Sequence, residues 1–281
     1  MKLVHSIAEM RAVCRSARSR GARLGLVPTM GALHEGHLSL VRAARGKSDL
    51  VAASIFVNPT QFGPSEDFAK YPRTLKNDCA LLEREGVELV FAPSVEEMYP
   101  KGAVTWIVVE GLSERLCGKS RPGHFRGVTT VVAKLFHIVE PDLAFFGQKD
   151  AAQVAIVRRM VRDLNMPVGI EVCPIVREPD GLAISSRNGY LSPQQRASAL
   201  VLHRSLTRVQ ELFVSGERYS ANLIAAAQEE FATEPSARLD YVEVVDPETL
   251  EPEAAVTRRV LLAVAAFVGQ TRLIDNIFLV P

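Results

Sequence analysis

The sequence predicts an α/β protein. A Rossmann-like parallel sheet with helices on both faces is expected over residues 1–176, and a smaller α+β C-terminal domain over 177–281. Three observations carry this. Asp49 to Val57 (DLVAASIFV) is a near-continuous apolar run, the pattern of a parallel strand buried on both faces. A strand, a glycine turn and a helix follow one another twice, around residues 24–45 and 143–164, as in βαβ units. From Ser192 the composition shifts to two Ala-rich helical stretches and then three strand patterns.

Taken in order, Ser6 to Arg20 carries Ile7, Met10, Val13 and Ala17 at helical spacing and stops at Gly21. Arg23 to Val27 reads as the first strand, followed by a turn and a helix to about Arg45. Asp49 to Val57 is the second strand. Strand, helix and strand within roughly thirty residues imply a right-handed crossover. Ligands of such sheets bind beyond the carboxyl ends of the strands, so the loops after these two strands should share a face. The second loop, Asn58 to Arg73, is long and polar. Thr74 to Gly86 reads as a helix, Val87 to Ala92 as a strand, Ser94 to Met98 as a short helix and Thr105 to Glu110 (TWIVVE) as a strand.

Val128 to Val139 has the spacing of a core helix. Leu143 to Phe146 is a short strand, and a helix with a stripe of Val154, Val157, Met160, Val161 and Leu164 begins at Asp150. Val168 to Val176 is the next strand. Beyond a turn at residues 177–181, helices are expected at Ser192 to Phe213 and Ser220 to Phe231. The last strands are Asp240 to Val245, Arg259 to Phe267 and Thr271 to Phe278.

The bulk numbers narrow the class. A chain of 281 residues can bury a substantial core, and 47% hydrophobic with 23% charged residues is ordinary for a globular protein. With 33 basic against 32 acidic residues the net charge is +1, which argues against a nucleic-acid partner but not against a small-nucleotide site. Cys14, Cys79, Cys117 and Cys173 are scattered without a C-x-x-C, as in reduced thiols. No apolar run could span a bilayer, and Lys2, Glu9 and Arg11 interrupt any signal-peptide pattern. A cytoplasmic protein with no membrane partner is expected.

The chemistry concentrates in four stretches. The first is Met30-Gly31-Ala32-Leu33-His34-Glu35-Gly36-His37, between strand and helix. Gly31 and Gly36 permit a tight turn and close backbone approach. His34 and His37 fall on one face of a helical first turn, where free N–H groups and the helix dipole favour an anion. The spacing is not the H-E-x-x-H of a zinc helix, and no metal site is expected. The second stretch is Asn58 to Phe62, whose Asn58 and Gln61 amides suit a hydroxyl-bearing substrate as well as plain turn chemistry.

The third is Gly147-Gln148-Lys149-Asp150, a second strand–turn–helix start. Lys149 suits phosphate, and Asp150 with Gln153 suits either helix capping or a ligand. The fourth is Ser185-Ser186-Arg187-Asn188, two hydroxyls and a cation. Gly118-Lys119-Ser120 is not a Walker A loop, because the glycine required before it is Ser113. The surrounding GKSRPGHFRG still gathers Arg121 and His124.

His34-Glu35-Gly36-His37 has the form of the HIGH motif of nucleotidyl-transferring enzymes, and SSRN that of the KMSKS-type loop that accompanies it. PTMGALHEGH, FVNPTQF, YPRT, GKSRPGHFRGV, FFGQKDAAQ, YVEVVD and TRLIDN together resemble the pantothenate synthetase family across almost the whole chain. The resemblance implies an ATP-dependent ligase joining pantoate to β-alanine through a pantoyl-adenylate. It implies catalysis by His37, His34, Lys149 and Arg187. The ATP contacts implied are Met30 to His37, Gly147 to Asp150, Val176, Ile184, Ser185, Ser186 and Arg187. Ile184 stands where family members often have Met or Leu. Pantoate or β-alanine would meet Gln61, Gln153, Asn58, Arg121 and His124. Mg²⁺ held mainly by the nucleotide and a homodimer are also implied. Two other readings stay open: a HIGH-type nucleotidyltransferase without an amide-forming step, and a non-catalytic nucleotide- or RNA-binding module.

Overall fold

A computed structural model describes residues 1–64 and 66–281 and divides the chain into two compact units. The first comprises residues 1–113, 121–147 and 156–174; the second 114–120, 148–155 and 175–281. Residues 114–120 and 148–155, which precede the expected boundary at 176, thus count with the second unit.

The first unit opens with β1 (Lys2–Val4) and α1 (Ile7–Arg18), capped by Ser6. Then come β2 (Leu24–Thr29), α2 (Glu35–Arg45), β3 (Leu50–Ile55), α3 (Leu75–Arg84), β4 (Leu89–Phe91) and α4 (Val95–Met98). After α5 (Cys117–Ser120), a turn of the second unit, the first resumes with α6 (His124–Val139) and β5 (Leu143–Gly147). It closes with most of α7 (Ala151–Asp163) and β6 (Gly169–Cys173). The six strands form one parallel sheet in the order β1-β4-β3-β2-β5-β6. From β2 the chain winds one way through β3 and β4 and the other way through β5 and β6. The switch point therefore lies between β2 and β5, where ligand crevices form in such sheets. Leu24, Leu26, Val27, Val51, Ala53, Val90 and Phe145 are buried, as strands covered on both faces require.

The second unit has α8 (Pro193–Ser198), α9 (Val201–Val214) and α10 (Ser220–Ala232). Its sheet is antiparallel, with β7 (Ala237–Val245), β8 (Val260–Val268) and β9 (Thr271–Leu279) in that order. Leu202, Leu206, Val209 and Phe213 of α9 and Leu223 and Phe231 of α10 form one core with Val242, Val260, Leu262, Val264 and Leu273.

Five expectations are corrected. Thr105 to Glu110 forms no strand and pairs with none among the described residues; Ile107 N–H donates to Thr130 Oγ1 at 3.1 Å and its carbonyl accepts from Thr129 Oγ1 at 2.7 Å. Helix α6 side chains satisfy groups that a sheet would otherwise take. The helix expected from Val128 begins at His124. Leu164 lies beyond α7 and is exposed. The helix expected over Ser192 to Phe213 breaks at Ala199-Leu200 into α8 and α9. Lys2–Val4 is a strand, too short and polar to show a pattern, with Val4 paired to Phe91. Among the described residues no helix is long and apolar enough to cross a membrane, and the four cysteines form no disulfide.

Candidate active site

The carboxyl end of β2 delivers the turn that begins the Met30–His37 stretch. Gly31 and Ala32 both adopt left-handed backbone, φ 80° and 50°, a strained pair for any chain with a Cβ. What holds the turn is Asp78 of α3, fully buried. Its carboxylate accepts from Ala32 N–H at 3.0 Å and Leu33 N–H at 2.9 Å, and from Thr74 Oγ1 at 3.1–3.2 Å. Sequence reasoning passed over Asp78; the available signal was an acid among the core-facing positions of a helix, which calls for partners.

Out of this turn comes α2, with His34 as its N-cap. The His34 and His37 rings lie 4.0 Å apart between centroids, tilted by 37°. His34 N–H donates to His37 Nδ1 at 3.4 Å, which leaves the proton of a neutral His37 ring on Nε2, a donor. The expectation that both rings share one face is met. Glu35 is turned to other use: it is exposed and pairs with Arg42, which also binds Glu85 at 2.6 Å.

The loop after β3 comes alongside. Gln61 Nε2 donates to Met30 Sδ at 2.9 Å, so the two loops do share a face. Asn58 Nδ2 donates to Gln61 Oε1 and to the Gly127 carbonyl, each at 3.1 Å. A Cβ on Gly127 would overlap the Thr60 carbonyl oxygen, so α6 meets residues 59–61 backbone to backbone. Arg121 and His124 both bind the Gln61 carbonyl, at 3.3 Å from Nη2 and 2.8 Å from Nδ1, and Arg121 Nη1 lies 3.1 Å from His124 Nε2. Arg121 also forms a forked pair with Glu66, at 2.8 and 2.5 Å. Burial works to raise the Glu66 carboxyl, but the Arg121 hydrogen bonds and the Arg121 and His124 charges hold it below its ordinary value. Arg121 and His124 together brace the Gln61 loop.

Gly147 ends β5, and Gln148–Asp150 forms a 3₁₀ turn before α7. Lys149 is one-fifth exposed, with Nζ 4.0 Å from Asp150 Oδ1; Gln153 is half-buried in the first turn of α7. Within the second unit, Ile184 N–H donates to the Val176 carbonyl at 3.0 Å, and the chain then reaches Ser185. Ser185 caps the 3₁₀ turn Ser186–Tyr190, its Oγ accepting from Arg187 N–H at 3.2 Å. Lys149, Ser185 and Asn188 line one small cavity with Asp275 and Leu273. Lys149 and Ser185, far apart in sequence, thus line one cavity inside a single unit.

The imidazoles at the start of α2, the ammonium before α7 and the hydroxyls and guanidinium of the Ser185–Arg187 turn are groups of the kind that donate to phosphate oxygens. The family model described as pantoate-beta-alanine ligase matches residues 2–278. The chain belongs to the pantoate–β-alanine ligase family. It is 61% identical to a pantothenate synthetase of Koribacter versatilis, over 99% of this chain and 96% of that one. It is 62% identical to one of Acidobacterium capsulatum, over 99% and 97%. A pantothenate synthetase structure from Thermus thermophilus superposes with a TM-score of 0.95 at 48% identity, covering both chains fully. A pantoate–β-alanine ligase from Francisella tularensis, complexed with β,γ-ATP and β-alanine, gives a TM-score of 0.77 at 33% identity, over 99% and 97% of the chains. Members of the family are ATP-dependent enzymes that join pantoate to β-alanine, and this chain is such a ligase. A nucleotidyl transfer without an amide-forming step and a non-catalytic binding module are both set aside.

Proposed function

We propose that this ligase works in two half-reactions with the residues divided between them as follows. In the first, a pantoate carboxylate oxygen attacks the α-phosphorus of ATP, the bond to the bridging oxygen breaks, and pyrophosphate leaves. In the second, the β-alanine amine attacks the acyl carbon of the pantoyl-adenylate, AMP leaves with the bonding pair, and the amine proton is lost. A free carboxylate resists amines, and acyl-phosphate activation removes that resistance.

Catalysis of the first step is positioning and charge neutralisation. His34 and His37 donate to the phosphate oxygens as charge develops, with His37 Nε2–H as the key donor. Lys149, Ser185, Ser186 and Arg187 hold the β and γ side. Met30 to Leu33, Gly36, Gly147, Gln148, Asp150, Val176 and Ile184 form the remaining wall around ATP. Gln61 and Gln153 hold pantoate, with Asn58, Arg121 and His124 fixing Gln61. Mg²⁺ enters with ATP as part of the substrate: the donors gathered here suit phosphate oxygens, and this ion usually stays on phosphates and water.

The observation that supports this most is the His34–His37 pair, its rings 4.0 Å apart at the N-terminus of α2. We also read the enzyme as a cytoplasmic homodimer. Val104 and Val108, 82% and 54% exposed, sit on an irregular segment of the first unit without a strand partner among the described residues, a surface suited to a second copy. The test is AMP formation with pantoate and β-alanine omitted in turn. Pyrophosphate should require pantoate alone, and AMP release should require both. Pyrophosphate release without pantoate would reject the scheme.

A further inference from the structure

We propose that Asp275 and Asn276, adjacent on the edge strand β9, are positioning residues that set Lys149 and the Ser185–Arg187 turn relative to one another. The proposal rests on the reading of Lys149 and that turn as phosphate-binding.

Neighbours on a strand point to opposite faces. Yet both these polar residues are only 2% exposed, and each reaches a different arm of the site. Asp275 receives a forked pair from Arg177, Nη1 to Oδ2 at 2.6 Å and Nη2 to Oδ1 at 2.9 Å. Arg177 Nη1 also donates to the Gly181 carbonyl at 2.9 Å. Arg177 stands at the base of a small hairpin closed by Glu178 N–H to the Leu182 carbonyl at 2.9 Å and by the Ile184–Val176 bond. That hairpin ends at Ser185, so Asp275 anchors the entry to the turn.

Asn276 anchors the other arm. Its Nδ2 donates to the Gln148 and Lys149 carbonyls, each at 3.0 Å, and its Oδ1 accepts from Gln148 Nε2 at 3.3 Å. Both donor hydrogens and an acceptor lone pair of the carboxamide are thus committed to residues 148 and 149. The strand has no use for this side chain, because the β9 ladder is completed by the β8 backbone opposite. Asn276 N–H donates to Asp275 Oδ1 at 2.7 Å and ties the two anchors together. A shift in either would move Lys149 against Ser185 across the cavity they share.

The test is Asn276→Asp, an isostere that loses both donors and sets a carboxylate against two carbonyl oxygens. Single-turnover pyrophosphate release should fall by roughly 10- to 100-fold, as expected for a misplacement near 1 Å. The reaction of preformed pantoyl-adenylate with β-alanine should stay within about threefold. In a Lys149→Ala background the same substitution should cost less than about threefold, because the group it positions is gone. Asn276→Ser, which keeps one donor and adds no charge, carries the same comparison if the aspartate variant fails to fold. Adenylation within threefold of the parent, equal losses in both backgrounds, or equal losses in both half-reactions would each overturn the proposal. Full adenylation by Lys149→Ala alone would instead remove the reading of Lys149, and the proposal with it.

Discussion

The two regions proposed to bind phosphate are built on opposite plans. The turn after β2 of the first unit is held locally, by the left-handed pair Gly31-Ala32, the cap His34 and a buried carboxylate on the next helix, Asp78. The Ser185–Arg187 turn and Lys149 of the second unit are held from the far end of the chain, by Asp275 and Asn276. A turn held by its neighbours keeps its shape as a rigid part of the sheet. A turn held through one edge strand depends on that strand. This predicts that damage to the groups that hold the first turn shows as lost stability together with lost chemistry, and damage to those that hold the second as lost chemistry first.

The sharpest way to probe the first region is His37→Ala. Removing one positioned donor should lower single-turnover adenylation by about 10²- to 10³-fold, with an unchanged urea midpoint. A large fall in the midpoint would place the ring in the fold's support. Next comes Asp78→Ala, which strands two backbone N–H groups in the interior. A cost of about 2–4 kcal/mol is expected from urea unfolding, with adenylation reduced in parallel. Asp78→Asn keeps only one of the two accepting oxygens and should fall between. A neutral Asn variant would contradict the local-support plan.

Gly127→Ala forces α6 from the Thr60 carbonyl and should destabilise by about 1–3 kcal/mol. It should raise KM for pantoate more than for ATP, since Gln61 rides on the displaced loop. Equal changes in both KM values would detach Gln61 from pantoate.

The smallest effect is at Arg121. The Glu66 carboxyl is held below its ordinary 4.5, so its contribution is present above that pH and is lost as pH falls through the lower folded value. Arg121→Met should flatten the acid limb of the stability profile by less than about 1 kcal/mol. An unchanged acid limb would show that the pair contributes nothing.

What could be read from the chain follows the same division. The β2 turn, the α2 histidines and the Gly147–Asp150 turn were legible because strand, glycine and helix start are local patterns. The Thr105–Glu110 stretch misled because an apolar run looks alike whether threonines of α6 or another strand take its backbone groups. Lys2–Val4 was invisible because a three-residue strand has no period to detect. Asp275 and Asn276 lay in a motif seen only as a likeness. Their partners stand about a hundred positions or more away, a pairing that only the folded chain reveals.

The most direct test of the account supplies His37→Ala with preformed pantoyl-adenylate and β-alanine. On the proposed division, in which the imidazole pair serves phosphate displacement and not amide formation, pantothenate should form at close to the parent rate while pyrophosphate release from ATP stays crippled. Equal impairment of both steps would contradict the division of labour on which the account stands.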